Sequence, residues 1–565
     1  MGLHSEHAIK PGNTVGVRGW RFEYWAESWR PYGILLLLSG LVFGRTLWFG
    51  YTYFDDDIII LQHFSSISGL SQIGEAFRHF YFVTYYRPIV TLSFILDARI
   101  SGISPWMYHL SNYAYHLVAT CLVFVLLSKL GVTRKTALIA SALFTISPVL
   151  TQSVAWIPGR NDSLLAIFVL VSVITLAEAV ASGRASLVLL HIVCFFISLL
   201  TKETALILPL IYLWYLHFVA NVPVLSRETG KYIVGWLIAI AAWFFMRSLA
   251  IEGVHRIYTL STFIGNLRVP LELLGKMVVP FRMSGYATFD IALLGAGICI
   301  VLAMAFLMIT RRNARSPLSI FGIIWIVSFI LPSLVVHTSG HRFDYLESRA
   351  YTSVAGMSIL IAALFERNTL KSSGWWRAAI SLVALLYAAV ASGYSLQFRD
   401  GVSFWTHAVK MSPTAADAHY SLGLAYMRGK NIPKAVASYR EAVALDPTNI
   451  AYHNNLGIAY GQGGSLDDAE SEFQEAARLR PSDPIAYANL GMLYFQKKNF
   501  SAVEQNLKQA LALDSNFTDV ERMLIALYKY EQNEEGARYY TEKLQHQPPK
   551  TVSPDLPSDS AEIAP

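Results

Sequence analysis

Cysteine is scarce in this chain. Cys121, Cys194 and Cys299 are the only three in 565 residues, and each lies inside an apolar run. Neither a disulfide framework nor a zinc-ligand spacing is therefore available. Charge is scarce too: Asp, Glu, Lys and Arg make up 15% of the residues, where ordinary soluble domains carry about 25%. The net charge of +6 is modest, and its basic residues cluster in short loops between apolar runs. They speak about topology and exclude a nucleic-acid surface. No small-residue cleavage site follows the first apolar run, so that run reads as a retained span and not as a signal peptide. What replaces charge is hydrocarbon: 54% of residues are hydrophobic and the mean hydropathy is +0.40. Residues 32–395 hold nearly all the long apolar runs, and 396–565 read as water-soluble.

The soluble part repeats itself. Leu422-Gly423, Leu456-Gly457 and Leu490-Gly491 recur every 34 residues, with Tyr426, Tyr460 and Tyr494 in phase and Tyr528 continuing the series. Pro413, Pro447 and Pro481 share the period, and Ala435 and Ala469 mark a second helix. Period and residue classes are those of tetratricopeptide (TPR) helix pairs, in which a small residue lets helix A pack on helix B. The spacing predicts an α-solenoid over 396–546, with 396–411 as a leading helix B and a partial fourth unit at the end. Stacked pairs give a concave surface suited to a peptide. The Pro- and Ser-rich stretch 547–565 is expected to be disordered.

A span needs about 20 apolar residues. Eleven segments qualify: 32–50, 107–128, 136–157, 164–181, 186–200, 204–220, 232–250, 289–310, 318–336, 348–365 and 378–395. Segment 262–281 carries Arg268, Glu272 and Lys276 on one stripe and is expected to lie in the interface. With residues 1–31 in the cytoplasm, eleven crossings put Lys129/Arg134/Lys135, Arg184, Arg227/Lys231, Arg311/Arg312/Arg315 and Arg367/Lys371/Arg377 inside, as the positive-inside rule requires. The repeats then face the periplasm, or the lumen if the membrane is that of the ER. The bacterial inner membrane is the preferred setting. The same outer side receives the loop 51–106 and the turns at 158–163, 201–203 and 337–347.

Those outer segments hold the unusual residues. Asp55-Asp56-Asp57 follows the first span, and a carboxylate at a membrane face suits a general base for a hydroxyl nucleophile. Pro88–Ile100 reads as a juxtamembrane helix bearing Asp97, with Arg87 before it and His109 beyond. Gly159-Arg160-Asn161-Asp162 and Thr201-Lys202-Glu203 form two charged turns. His337, His341, Arg342, Asp344, Glu347 and Arg349 form a third group. Cations there suit a phosphate, and carboxylates suit an acceptor hydroxyl and a sugar. Acidic loop, aromatic belt and snorkelling lysine are the bland alternatives for each group taken alone.

The combination resembles the GT-C glycosyltransferases and, more narrowly, the transmembrane-and-TPR-containing protein O-mannosyltransferase family with its bacterial relatives. The resemblance rests on Asp55-Asp56, on Tyr86-Arg87-Pro88 through Phe94, and on Pro105-Trp106-Met107-Tyr108-His109-Leu110-Ser111-Asn112. It extends to Val154 through Asp162, to Leu200-Thr201-Lys202-Glu203, and to Glu347-Ser348-Arg349-Ala350-Tyr351, which falls where the family has a Glu-Arg-Tyr-Leu-Tyr-type run. It implies an all-α GT-C membrane domain of about 11 helices over 32–395, joined to the TPR solenoid. It implies transfer of a sugar from a polyprenyl-phosphate-linked donor to a protein or peptide hydroxyl outside the cytoplasm. Asp55 or Asp56 would be catalytic, and the third acid, Asp57, leaves the choice open. Arg87, Arg160, Asp162, Lys202, Glu203, Arg342 and Arg349 would bind donor phosphate and sugar, supported by Asp57, Asp97, His109 and Glu347. A divalent ion held by Asp55, Asp56 and His109 is an alternative, although lipid-monophosphate-sugar enzymes of this fold usually need none. Competing readings are a non-catalytic membrane-anchored TPR scaffold and an oligosaccharide ligase that uses a lipid-diphosphate donor. The ligase is disfavoured by the short late loop 337–347, and a transporter by the lack of two-fold repeats among the spans.

Overall fold

A computed structural model describes residues 29–78, 85–250, 260–286, 289–310, 316–335, 346–367 and 374–545. Every regular element among them is a helix. The chain parts into two compact units, Met1–Phe404 and Trp405–Pro565.

Each of the eleven segments picked out by hydropathy contains helix among its described residues. Eight are long and apolar enough to cross a bilayer: Arg30–Trp48, Trp106–Lys129, Ile157–Ser182, Arg227–Ala250, Ile291–Thr310, Pro317–Leu334, Glu347–Phe365 and Ala378–Phe398. A ninth, Arg134–Thr145 plus Pro148–Ala155, is bent by 51°. The bend falls where Pro148 cannot donate a backbone hydrogen bond, the usual cause of a kink. Ala185–Thr201 and Glu203–Val219 are shorter apolar helices that meet at Lys202. The protein is thus a polytopic membrane protein. Burial ranks its helices: 72% of the apolar window is enclosed in Ile157–Ser182 and in Glu347–Phe365, against 11% in Ile291–Thr310 and 17% in Ala378–Phe398. The first two form the centre of the unit, and the last two lie at its periphery with most of their side chains uncovered by protein.

The described part of segment 51–106 holds short helices: Asp57–Gln62, Gln72–Arg78 and Pro88–Ser101. The last coincides with the expected juxtamembrane helix. Segment 262–281 is broken into Leu260–Gly265 and Val269–Val278, too short to cross. Two members of its polar stripe, however, do not face water, while Arg268 is half-buried. Glu272 and Lys276 are each 1% exposed, which corrects the interfacial reading. A carboxylate across the unit, Glu347, draws the stripe inward (Lys276 Nζ to Oε1, 2.9 Å).

The second unit pairs Ala416–Arg428 with Ile432–Leu445, Ile450–Gln462 with Leu466–Leu479, Pro484–Gln496 with Phe500–Leu513, and Thr518–Tyr530 with Glu534–Gln545. Asn431, Asn449, Asp483 and Asn499 each accept a backbone N–H at a helix start, which satisfies donors that a helix leaves open. The repeat glycine works through size. A Cβ on Gly457 would lie 2.5 Å from the Phe473 ring. The fourth pair is complete although it lacks the Leu-Gly signature. Val520, Leu524 and Leu527 fill its core, so apolar periodicity replaces the motif. The stretch 547–565, expected to be disordered, lies outside the described residues.

Candidate functional site

Residues from alternate connections meet at one end of the helical bundle. The acidic loop comes first. Asp56 is fully buried, and its two oxygens accept from Thr52 N (2.7 Å), Thr52 Oγ1 (2.8 Å) and Phe54 N (3.2 Å). It therefore closes the turn 52–56 upon itself. This closure forces Tyr53 and Asp55 into the left-handed region, at φ 55° and 68°, which costs a non-glycine residue about 1–3 kcal/mol. Asp55 is only half-buried, so of the three acids it is the one that a solute can approach. Asp57 begins the next short helix and is nearly enclosed.

Arg160 and Asp97 form an internal clasp. They are 2.6 Å apart, with side chains 0% and 2% exposed. The Arg160 guanidinium also donates to Ser93 Oγ and to the Tyr108 carbonyl and lies 4.2 Å from the Phe94 ring centroid. Ser111 Oγ donates to the other Asp97 oxygen at 2.6 Å. Arg160, expected at a phosphate, is here engaged inside the protein. Its charge is spent holding the Pro88–Ser101 helix against the starts of Trp106–Lys129 and Ile157–Ser182. Breaking a buried pair by removing one partner costs about 3–5 kcal/mol. Asp97→Ala is expected to lower the thermal midpoint of the purified protein sharply, and the double change Asp97→Leu/Arg160→Met to recover most of it.

Three other cations gather nearby. Arg87 grips Glu203 through two hydrogen bonds, 2.7 and 3.2 Å. Glu203 remains 39% exposed, so this pair opens to solvent. Lys202 Nζ lies 2.5 Å from Asp162 Oδ1 in a buried pair. Burial pushes the Lys202 amine below its ordinary value; Asp162 opposes this, while Arg87 and Arg349 add to it. Arg349 is half-buried, and among the described residues its side chain makes no hydrogen bond or ion pair of its own. Among the described residues three cations thus share two carboxylates, which leaves Arg349 as the cation suited to an anion.

The acidic loop and the cation cluster are tied by the short helix Thr151–Ala155 and the residue after it. Trp156 Nε1 donates to the Phe54 carbonyl (2.7 Å). Gln152 accepts from Ser348 N (2.9 Å) and donates to the Gly285 carbonyl (3.1 Å). Asn112 anchors this hub by donating to the Trp156 carbonyl. Sequence reasoning passed over Gln152. Its one signal is an amide side chain inside an otherwise apolar run. His109 is buried, with Nε2 3.3 Å from the Gly50 carbonyl. Among the described residues no group of three or more His, Cys, Asp or Glu is disposed to hold a metal, and Asp56 is already engaged with its own loop. The metal alternative therefore does not fit, and no step is routed through one. Arg342, like His337, His341 and Asp344, lies outside the described residues.

Comparison with known proteins agrees with both units. A TPR-repeat family model matches residues 427–464, and a tetratricopeptide-repeat model matches 454–516. Protein O-mannosyl-transferase F38B6.6 of Caenorhabditis elegans is 27% identical over 457 residues, 75% of this chain and 64% of that protein. Protein O-mannosyl-transferase Tmtc1 of Drosophila melanogaster is 30% identical over 178 residues, 30% of this chain and 20% of that protein. Human TMTC3, also named a protein O-mannosyl-transferase, is 28% identical over 156 residues, 26% of this chain and 17% of the relative. The chain is similar to protein O-mannosyl-transferases. It covers less than two thirds of the length of each of these relatives. Among solved structures, MamA (20% identity, 26% of this chain, 85% of that chain) and a thermophilic TPR protein of Thermus thermophilus (23%, 31% and 91%) match with TM-scores of 0.24.

Electrostatics also marks Asp56. Burial pushes the Asp56 carboxyl up from its ordinary 3.8 to about 7, against the hydrogen bonds from Thr52, and Asp57 adds to the rise. A carboxyl raised on folding stabilises the fold at low pH. Its contribution is full below about 3.8 and lost as pH rises through about 7. Asp56→Asn, which cannot ionise, is expected to flatten the pH dependence of the thermal midpoint across that window. An unchanged slope would remove Asp56 as its source.

Proposed function

We propose that this chain is a membrane glycosyltransferase of the GT-C kind. It moves a sugar from a polyprenyl-phosphate-linked donor to a Ser or Thr hydroxyl of a protein on the extracytoplasmic face. The observation that carries this reading is the pairing of an approachable, strained carboxylate with an anion-seeking cation cluster, both fixed to the one hub Gln152–Trp156. Asp55 removes the proton of the attacking hydroxyl. The hydroxyl oxygen bonds to the anomeric carbon as the bond from that carbon to the phosphate oxygen breaks. The departing lipid phosphate takes the electron pair, and the configuration inverts. The transition state is oxocarbenium-like, as in glycoside hydrolysis. A phosphate is already stable as an anion, so it calls for cations and not for a general acid. Arg349 supplies the uncompensated charge, with Lys202 and Arg87 behind it.

The similarity to protein O-mannosyl-transferases supports the reaction class. The TPR unit supports a peptide acceptor. Eight helices long enough to span, the bent pair and two shorter apolar helices, each taken as one crossing, make eleven, the odd count that supports placing that unit in the extracytoplasmic compartment. The test is mass spectrometry of extracytoplasmic proteins from cells with and without the gene. A gene-dependent hexose on Ser or Thr is expected; identical glycan profiles would overturn the proposal.

A further inference from the structure

The helix Val269–Val278 is built as a support, yet nothing in the proposed chemistry uses it. Its register is fixed by backbone contact. A Cβ on Gly275 would sit 2.3 Å from the Leu293 carbonyl oxygen, and one on Gly297 would sit 1.9 Å from that of Leu271. Only two glycines let this helix lie so close to Ile291–Thr310. From that seat Lys276 reaches Glu347 Oε1 at 2.9 Å and Glu272 Oε1 at 3.4 Å. All three side chains are about 1% exposed.

An ammonium buried this deeply is costly unless it is paired, and the pairing with Glu347 ties it to a second segment. What it holds is the turn Glu347–Ala350 at the start of a central helix. Glu347 Oε1 also accepts from Ser284 N (3.0 Å), and the next residue, Ser348, is bound by Gln152. Two consecutive residues are thus clamped by side chains from separate segments. Arg349, the next in line, is left to project its side chain without a partner among the described residues. A clamp of this kind fixes where a guanidinium points, and a bidentate anion contact depends on that direction.

We propose that Lys276 is a positioning residue: acting through Glu347, it sets the turn that presents Arg349 to the donor phosphate. This inference rests on the glycosyltransferase reading of Arg349.

The test uses the full chain in nanodiscs, with undecaprenyl phosphate as the binding probe and donor-to-peptide transfer as the kinetic readout. Lys276→Met is expected to weaken probe binding and to lower kcat, each by about tenfold. Lys276→Arg should restore most of the loss. Combined with Arg349→Ala, Lys276→Met should add less than about twofold, because residues acting through one another are not additive. A merely structural lysine would give losses that multiply with those of Arg349→Ala, or a folded Lys276→Met protein of normal affinity, and either result overturns the inference. Should Lys276→Met fail to fold, Glu347→Gln keeps the side-chain size and the Ser284 acceptor, and it replaces Lys276→Met in the same cycle with the same two outcomes. Arg349→Ala without effect on probe binding would instead overturn the phosphate-site reading.

Discussion

Asp55→Asn is expected to lower kcat for sugar transfer by about 10²–10⁴-fold, the usual range for removal of a general base, while leaving the fold intact. Asn is one of the few residues that accepts the left-handed backbone found at this position, so the substitution removes the base without releasing the strained loop. KM for donor and acceptor should change little, since the carboxylate acts on a proton in flight and not on a bound group. Asp56→Asn should behave differently. Both Asp56 oxygens are committed to Thr52 and Phe54. Its substitution should loosen the loop and alter the pH dependence of stability, with a smaller loss of kcat. Steady-state kinetics on the two variants decides between the acids. A silent Asp55→Asn beside a dead Asp56→Asn would reverse the assignment.

Much of this architecture is written in local pattern. Span positions follow from apolar length, and the TPR pairs follow from a 34-residue period. Both depend on residues close in the chain. The fourth pair shows the limit of motif reading, since its core is apolar without the Leu-Gly signature. The candidate site residues could be grouped in the sequence because they fall in alternate connections, which parity sends to one end. Their division of labour was not legible. Arg160 and Arg349 are both arginines at the starts of helices. One is consumed by Asp97 and the other lacks a side-chain partner among the described residues, and only long-range packing decides which. The stripe Glu272/Lys276 misled for the same reason. A polar face on a short helix satisfies water or a buried carboxylate equally well on paper, and Glu347, 71 residues beyond Lys276, settles the matter.

Arg349→Ala should be the second severe lesion. Loss of a preorganised charge aimed at a developing anion costs about 10²–10³-fold in kcat, and Arg349 is the cation of this cluster that pairs with no carboxylate among the described residues. Arg349→Lys keeps the charge but loses the planar fork that binds two phosphate oxygens at once, so it should recover only part of the rate. The neighbours give the contrast that makes the measurement informative. Arg87→Met removes a cation that Glu203 largely cancels in a solvent-exposed pair, and a smaller kinetic loss is expected. Lys202→Met strips the partner from the buried Asp162, so its main effect should be on stability, by about 3–5 kcal/mol. Kinetics and thermal midpoints on the three variants should therefore separate along different axes: rate for Arg349, stability for Lys202, and little of either for Arg87. Equal kinetic losses for all three would mean that the cluster acts as a diffuse positive surface with no directed contact to the leaving phosphate.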